Sequence, residues 1–129
     1  MAKLLVVDDE QGICSTMEAA LAAAGHEVQL ADSGEMALSL MRRSNPDILI
    51  TDLRMPHIDG CEFLRQLSSH ALYQQLTVLV ITGLSDAQIK QMGGLPKNVQ
   101  VLRKPLDLDW FKGFFDAFVS LRKKAIVTL

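Results

Sequence analysis

Apolar runs in this chain stop, one after another, on acids, a hydroxyl and a lysine. Leu4-Leu5-Val6-Val7 leads into Asp8-Asp9, Ile48-Leu49-Ile50-Thr51 into Asp52, Val78-Leu79-Val80-Ile81 into Thr82, and Val101-Leu102-Arg103 into Lys104-Pro105. Runs that are apolar at nearly every position suit strands of a parallel sheet with helices on both faces. In such a sheet the polar groups after the strands share one edge, the edge at which open α/β sheets bind ligands. Acids, a hydroxyl and an ammonium gathered there suit a divalent cation and a phosphoryl group.

The intervening segments read as helices, so the rhythm is strand then helix, five times. Strands are expected near 3–8, 47–52 and 77–82, with less buried ones at Glu27 to Ala31 and Val99 to Arg103. Ile13, Met17 and Leu21 mark a first helix ending at Gly25, and a second runs from about Gly34 to just before Asn45-Pro46. Asp59 with Glu62, and Ser85 with Gln88, have the spacing of reciprocal caps for the third and fourth helices. Gly93-Gly94-Leu95-Pro96 should keep the fourth helix short. A fifth begins after Asp107, with Leu108, Phe111, Phe115 and Phe118 as its core stripe and Trp110 and Phe114 off it. At least one of that last pair is expected at the surface, where it can meet a partner. This alternation predicts a doubly wound α/β sheet of five parallel strands.

At 129 residues, 49% of them hydrophobic, the chain fits one domain over residues 1–129 and leaves no room for a second. A net charge of -2 gives no electrostatic reason for direct nucleic-acid binding. The cluster Arg122-Lys123-Lys124 reads as a solvated helix end, with the start of a linker to an output domain as the functional alternative. Neither a signal peptide nor an apolar stretch of membrane-spanning length is visible, so no membrane association is expected. Cys14 and Cys61 read as ordinary helix residues in a reducing compartment, which points to the cytoplasm. His26, His57 and His70 stand apart from one another and read as surface or loop positions.

Three carboxylates brought together repel one another, and a hard cation such as Mg²⁺ relieves that repulsion. Asp52 is then a candidate nucleophile, because a carboxylate can attack phosphorus and become an aspartyl phosphate. Thr82 can donate to a phosphoryl oxygen, and Lys104 can neutralise another. Taken singly, each signal is bland: an Asp-Asp pair is commonly a turn or cap, and Lys-Pro is common. Their joint occurrence in one order is not.

The segments VVDDE, ILITDLRMPHIDG, VLVITG and VLRKPL resemble the signatures of two-component response-regulator receiver domains, in order and spacing, over essentially the whole chain. The resemblance implies a flavodoxin-like sheet of strand order 2-1-3-4-5, with Asp52 as phosphoacceptor. It implies Mg²⁺ held by Asp9 directly, by Asp8 mainly through water, by Asp52 and by the Arg54 backbone carbonyl. Thr82 matches the switch hydroxyl, Gly83 the small residue that leaves room above the phosphoryl group, and Lys104 the phosphoryl-binding lysine before a cis Pro105. Pro56 and Gly60 match the loop after the phosphoacceptor strand, and Arg54 and Leu84 the positions that tune phosphoryl lifetime. The rotating aromatic usual three residues before the lysine is here Val101.

What the resemblance implies is a signalling phosphoacceptor, and no enzyme beyond its own phosphorylation and dephosphorylation. Its donor would be a sensor histidine kinase or a histidine phosphotransfer protein, and its output partner would meet the fourth helix, fifth strand and fifth helix. Two other readings stay open. A Mg²⁺-dependent phosphohydrolase of the haloacid dehalogenase type also uses an aspartyl phosphate, but there the nucleophile usually follows the first strand. A receiver-shaped module that no longer needs phosphorylation is disfavoured by the retained acids, Thr82 and Lys104, and kept open by Val101.

Overall fold

The computed structural model describes residues 3–8, 11–54, 59–69, 73, 76–105 and 107–127, with side chains for all of these except 11–14 and 121–127. Asp9, Pro56, His57 and His70 therefore lie outside the described residues, as do the side chains of Ile13, Cys14 and Arg122 to Lys124. Among the described residues ten elements alternate: β1 (Lys3–Val7), α1 (Gln11–Ala23), β2 (Glu27–Ala31), α2 (Gly34–Ser44), β3 (Ile48–Thr51), α3 (Gly60–Ser68), β4 (Thr77–Thr82), α4 (Asp86–Gln91), β5 (Val99–Arg103) and α5 (Leu108–Val127). The strands form one 5-stranded sheet in the order β2-β1-β3-β4-β5, every neighbouring pair parallel.

Strand composition follows position in the sheet. β1, β3 and β4 are interior and nearly all buried, whereas the edge strands β2 and β5 are largely half-buried. Successive side chains point to opposite faces. Leu5, Val7, Leu49, Val78 and Val80 thus pack with residues of α2, α3 and α4, while Leu4, Val6, Ile50, Leu79 and Ile81 pack with Met17 and Leu21 of α1 and with Phe111 and Phe115 of α5. The chain moves from β1 to one edge and then returns past it toward the other. The C-terminal ends of β1 and β3 consequently flank the point where strand order reverses.

Helix ends follow their cap residues. α2 begins on Ser33, whose side chain accepts from the Met36 N–H, and ends at left-handed Asn45 before Pro46. α4 carries the reciprocal cap expected of Ser85 and Gln88. At α3 the cap runs one way: Asp59 accepts from the Glu62 N–H, while the Glu62 carboxylate faces Gln66. Along α5 the expected stripe faces the core and is extended by Val119. Phe111, Phe115 and Val119 are the fully buried line, at i, i+4 and i+8, and Leu108 and Phe118 flank it half-buried. Trp110 is 54% exposed and stacks on Phe114 at 5.3 Å between ring centroids.

His26 is a loop residue, as its place in the sequence suggests. It is half-buried, with its ring edge-on to Phe115 at 5.3 Å. Cys61 is free and buried, and its thiol is pushed up first by burial and then by the Asp59 charge, which keeps it an unreactive part of the core. No helix among the described residues is long and apolar enough to cross a membrane.

Candidate functional site

Asp8, Asp52 and Lys104 meet at the C-terminal edge of the sheet because each continues the backbone ladder by one step past its strand. The Asp8 N–H donates to the Ala31 carbonyl at 3.1 Å, that of Asp52 to the Val7 carbonyl at 3.1 Å, and that of Lys104 to the Thr82 carbonyl at 2.9 Å. Those bonds fix the side chains relative to the sheet. Lys104 Nζ lies 2.8 Å from Asp52 Oδ2 and 3.5 Å from Asp8 Oδ2, and the two acid side chains are only 6% and 8% exposed respectively. The Lys104–Pro105 peptide is cis.

Asp52 is held on both oxygens. Oδ1 accepts from the Leu53 N–H at 2.6 Å, with the Arg54 N–H at 3.4 Å, while Oδ2 faces the ammonium. Thr51, buried beneath it, donates from its hydroxyl to the Asp52 carbonyl at 2.8 Å. That residue carries no signal in the sequence beyond being the polar end of an apolar run. Thr82 is fully buried at the end of β4, and its Oγ1 accepts from the Leu84 N–H at 3.1 Å.

Glycines make room around this cluster. A Cβ on Gly60 would sit 2.4 Å from Leu53 Cα and 2.9 Å from the Asp52 carbonyl oxygen, so α3 starts hard against the loop that leaves β3 only because residue 60 lacks a side chain. Gly60→Ala should therefore lower stability by roughly 1–3 kcal/mol; urea unfolding checks this, and an unchanged midpoint would show that the loop gives way freely. A Cβ on Gly83 would meet only the Lys104 Cβ, at 4.0 Å, so the space beside the lysine is open.

Leu84 and Val101 both lie on the inner face of the sheet's β4–β5 side. The Leu84 side chain is 5% exposed and packs into the core with Val80 and Ile89, so it does not lie over the carboxylates. Val101 is half-buried on the same face, paired in register with Val80. Arg54 is exposed beside Asp52. Arg103, which the sequence reading passed over, donates to the Leu84 carbonyl and pairs with Asp86.

Among the described residues two buried carboxylates face the Lys104 ammonium, a setting that a hard cation can join. Its donors are all oxygens. Oxygen donors of this kind suit a hard cation, which needs few protein carboxylates when waters complete its shell. A cavity of about 350 Å³ opens beside Asp8, Asp52 and Lys104 and continues beneath Met17 and Leu108, so the carboxylate oxygens are reachable despite their burial.

Comparison with known proteins gives a concordant result. Residues 4–112 match the model of the response regulator receiver domain family. The response regulator MprA of Mycobacterium leprae is 34% identical over 108 residues, which is 83% of this chain and 46% of that protein. The chain thus spans about half the length of the curated relatives it matches. Among solved structures, the chemotaxis response regulator CheY4 of Vibrio cholerae is similar at a TM-score of 0.78 and 29% identity, covering 91% of this chain and 98% of that one. The receiver domain of the hybrid histidine kinase CckA is similar at a TM-score of 0.72 and 28% identity, covering 89% and 96%.

Proposed function

Since this chain belongs to the response regulator receiver domain family, a family whose general function is phosphoryl acceptance in two-component signalling, we propose that it takes its phosphoryl group on Asp52. The single observation that carries the assignment is the Asp52 carboxylate itself, buried at the strand-order reversal with Lys104 Nζ at 2.8 Å and Thr82 at the end of the adjacent strand. Residues 1–129 act as one receiver domain in a cytoplasmic setting, a signalling phosphoacceptor that works on no separate substrate.

The donor is a phosphohistidine on a sensor histidine kinase or a histidine phosphotransfer protein. An Asp52 carboxylate oxygen attacks phosphorus in line as the P–N bond breaks, and the imidazole leaves with the bonding pair. Lys104 stays with the oxygen that gains charge, and the Thr82 hydroxyl donates to another. Most of the acceleration comes from holding these groups in place. Asp8, Asp52 and the Arg54 carbonyl, with Asp9 outside the described residues, would hold Mg²⁺. When bound, Mg²⁺ offsets charge on the carboxylates and the transferring oxygens.

Acetyl phosphate with Mg²⁺ tests this reading by intact mass. One phosphoryl adduct is expected, and none when Mg²⁺ is chelated before the donor is added; no adduct under any donor would instead leave a module that works without phosphorylation. Lifetime depends on whether water can line up behind the phosphorus. Arg54 is exposed at the rim and can cover phosphoryl oxygens, so Arg54→Asn should speed dephosphorylation by about tenfold. The decay of isolated phosphoprotein measures it, and an unchanged rate removes Arg54 from that role. Because the Leu84 side chain faces the core, Leu84→Glu would bury a carboxylate and is not a clean test of lifetime.

A further inference from the structure

Directly across the sheet from Thr82 stands Arg103, in register on β5. Alternate residues of a strand share a face, so Arg103 lies on the face where Val99 and Val101 pack with Val80 and Leu84. Its guanidinium is forked: Nη1 donates to the Leu84 carbonyl and Nη2 to Asp86 Oδ1. The same Leu84 donates its N–H to Thr82 Oγ1 at 3.1 Å. A continuous run of bonds thus joins the hydroxyl beside the carboxylate cluster to the first residue of α4.

The far end of α4 is held by a second arginine. Arg65 Nη1 on α3 donates to the carbonyls of Met92 at 3.0 Å and Gly94 at 3.2 Å. A Cβ on Gly93 would come within 2.6 Å of that Nη1, and Gly93 and Gly94 have φ of +100° and +78°, so this close approach and this turn both call for glycine. Between the two ends α4 has six residues and buries only Ile89. With so little apolar anchorage, the contacts at its ends decide where the helix sits.

We infer that Arg103 is a positioning residue for phosphoryl acceptance: it fixes the Leu84 loop, and through it Thr82, in the unphosphorylated arrangement, so that acceptance has to work against it. The inference rests on the reading of Asp52 as phosphoacceptor. A phosphoryl oxygen draws the Thr82 hydroxyl toward it, and the Leu84 N–H must follow or lose its acceptor. Either movement turns the Leu84 carbonyl relative to Arg103. A rigid, planar guanidinium cannot track that carbonyl and keep Asp86 as well. The Arg103 end of α4 is therefore released while the Arg65 end stays, and the helix pivots about Gly93 and Gly94. Val101, branched at Cβ and stiff, need not move.

Rates of acetyl phosphate labelling with Mg²⁺, read by intact mass, test this. The Asp86 side chain is 93% exposed, so its replacement removes the ion pair and leaves the fold intact. Asp86→Asn should label about three- to tenfold faster than wild type, because the population already released is larger. Asp86→Glu, which restores the carboxylate, should label at the wild-type rate. Arg103→Gln should be at least as fast as Asp86→Asn, and the double variant no faster than Arg103→Gln, since both remove one device. Amides 83–88 of unphosphorylated Arg103→Gln should also shift toward their positions in the wild-type beryllofluoride complex, a change that lost stability alone does not produce. Unchanged rates in the variants, or effects that multiply, would overturn the inference while the wild-type adduct on Asp52 upholds the receiver reading. Absence of that adduct in wild type overturns both.

Discussion

Asp52→Asn is expected to abolish the phosphoryl adduct, a drop of at least about a thousandfold in labelling rate by acetyl phosphate. The substitution is nearly isosteric. It keeps a carbonyl oxygen able to accept from the Leu53 N–H, which now reaches Oδ1 at 2.6 Å, so the loop into α3 should stand. What disappears is the anionic nucleophile, since an amide has no comparable lone pair to offer phosphorus. Lys104 keeps a partner in Asp8 at 3.5 Å, and the repulsion between the two buried carboxylates is gone. Circular dichroism should accordingly report a folded variant beside the lost adduct. Should the same adduct persist in Asp52→Asn, the phosphoryl group sits elsewhere and the assignment is wrong.

The fold was legible in the sequence because the interior strands are apolar on both faces and Gly, Pro and cap residues mark the element ends. Leu4 to Val7 and Ile48 to Thr51 are almost wholly buried, as their unbroken apolar character requires. Strand order is another matter: nothing in the alternation of elements fixes 2-1-3-4-5, and only the family likeness supplied it. Asp8, Asp52, Thr82 and Lys104 could be read as one cluster because parallel strands bring their ends to one edge. Arg103 and Thr51 could not. The first acts through a side chain reaching a carbonyl 19 residues away and the second through a buried hydroxyl bond to its neighbour, and neither leaves a composition signal. The direction of the Leu84 side chain was illegible for a related reason, since its offset from Thr82 says nothing about which way the loop turns it.

Lys104→Met should slow phosphoryl uptake by about a hundredfold or more and destabilise the protein when no Mg²⁺ is present. Both effects follow from one ammonium facing two acids, at 2.8 Å from Asp52 and 3.5 Å from Asp8. Methionine keeps much of the aliphatic stem but takes the ammonium away from two carboxylate side chains that are 8% and 6% exposed. Breaking a fully buried pair costs about 3–5 kcal/mol; the lysine side chain is 21% exposed here, so water screens part of the loss and about 2 kcal/mol is expected. A divalent cation relieves the same repulsion, so Mg²⁺ should raise the melting temperature of Lys104→Met more than that of wild type. Phosphoryl uptake should not recover with it, because the cation balances the acids while the oxygen that Lys104 would neutralise stays uncovered. Equal Mg²⁺ stabilisation of the two proteins would mean that the lysine does not hold the carboxylates together, and wild-type uptake by Lys104→Met would remove it from the chemistry.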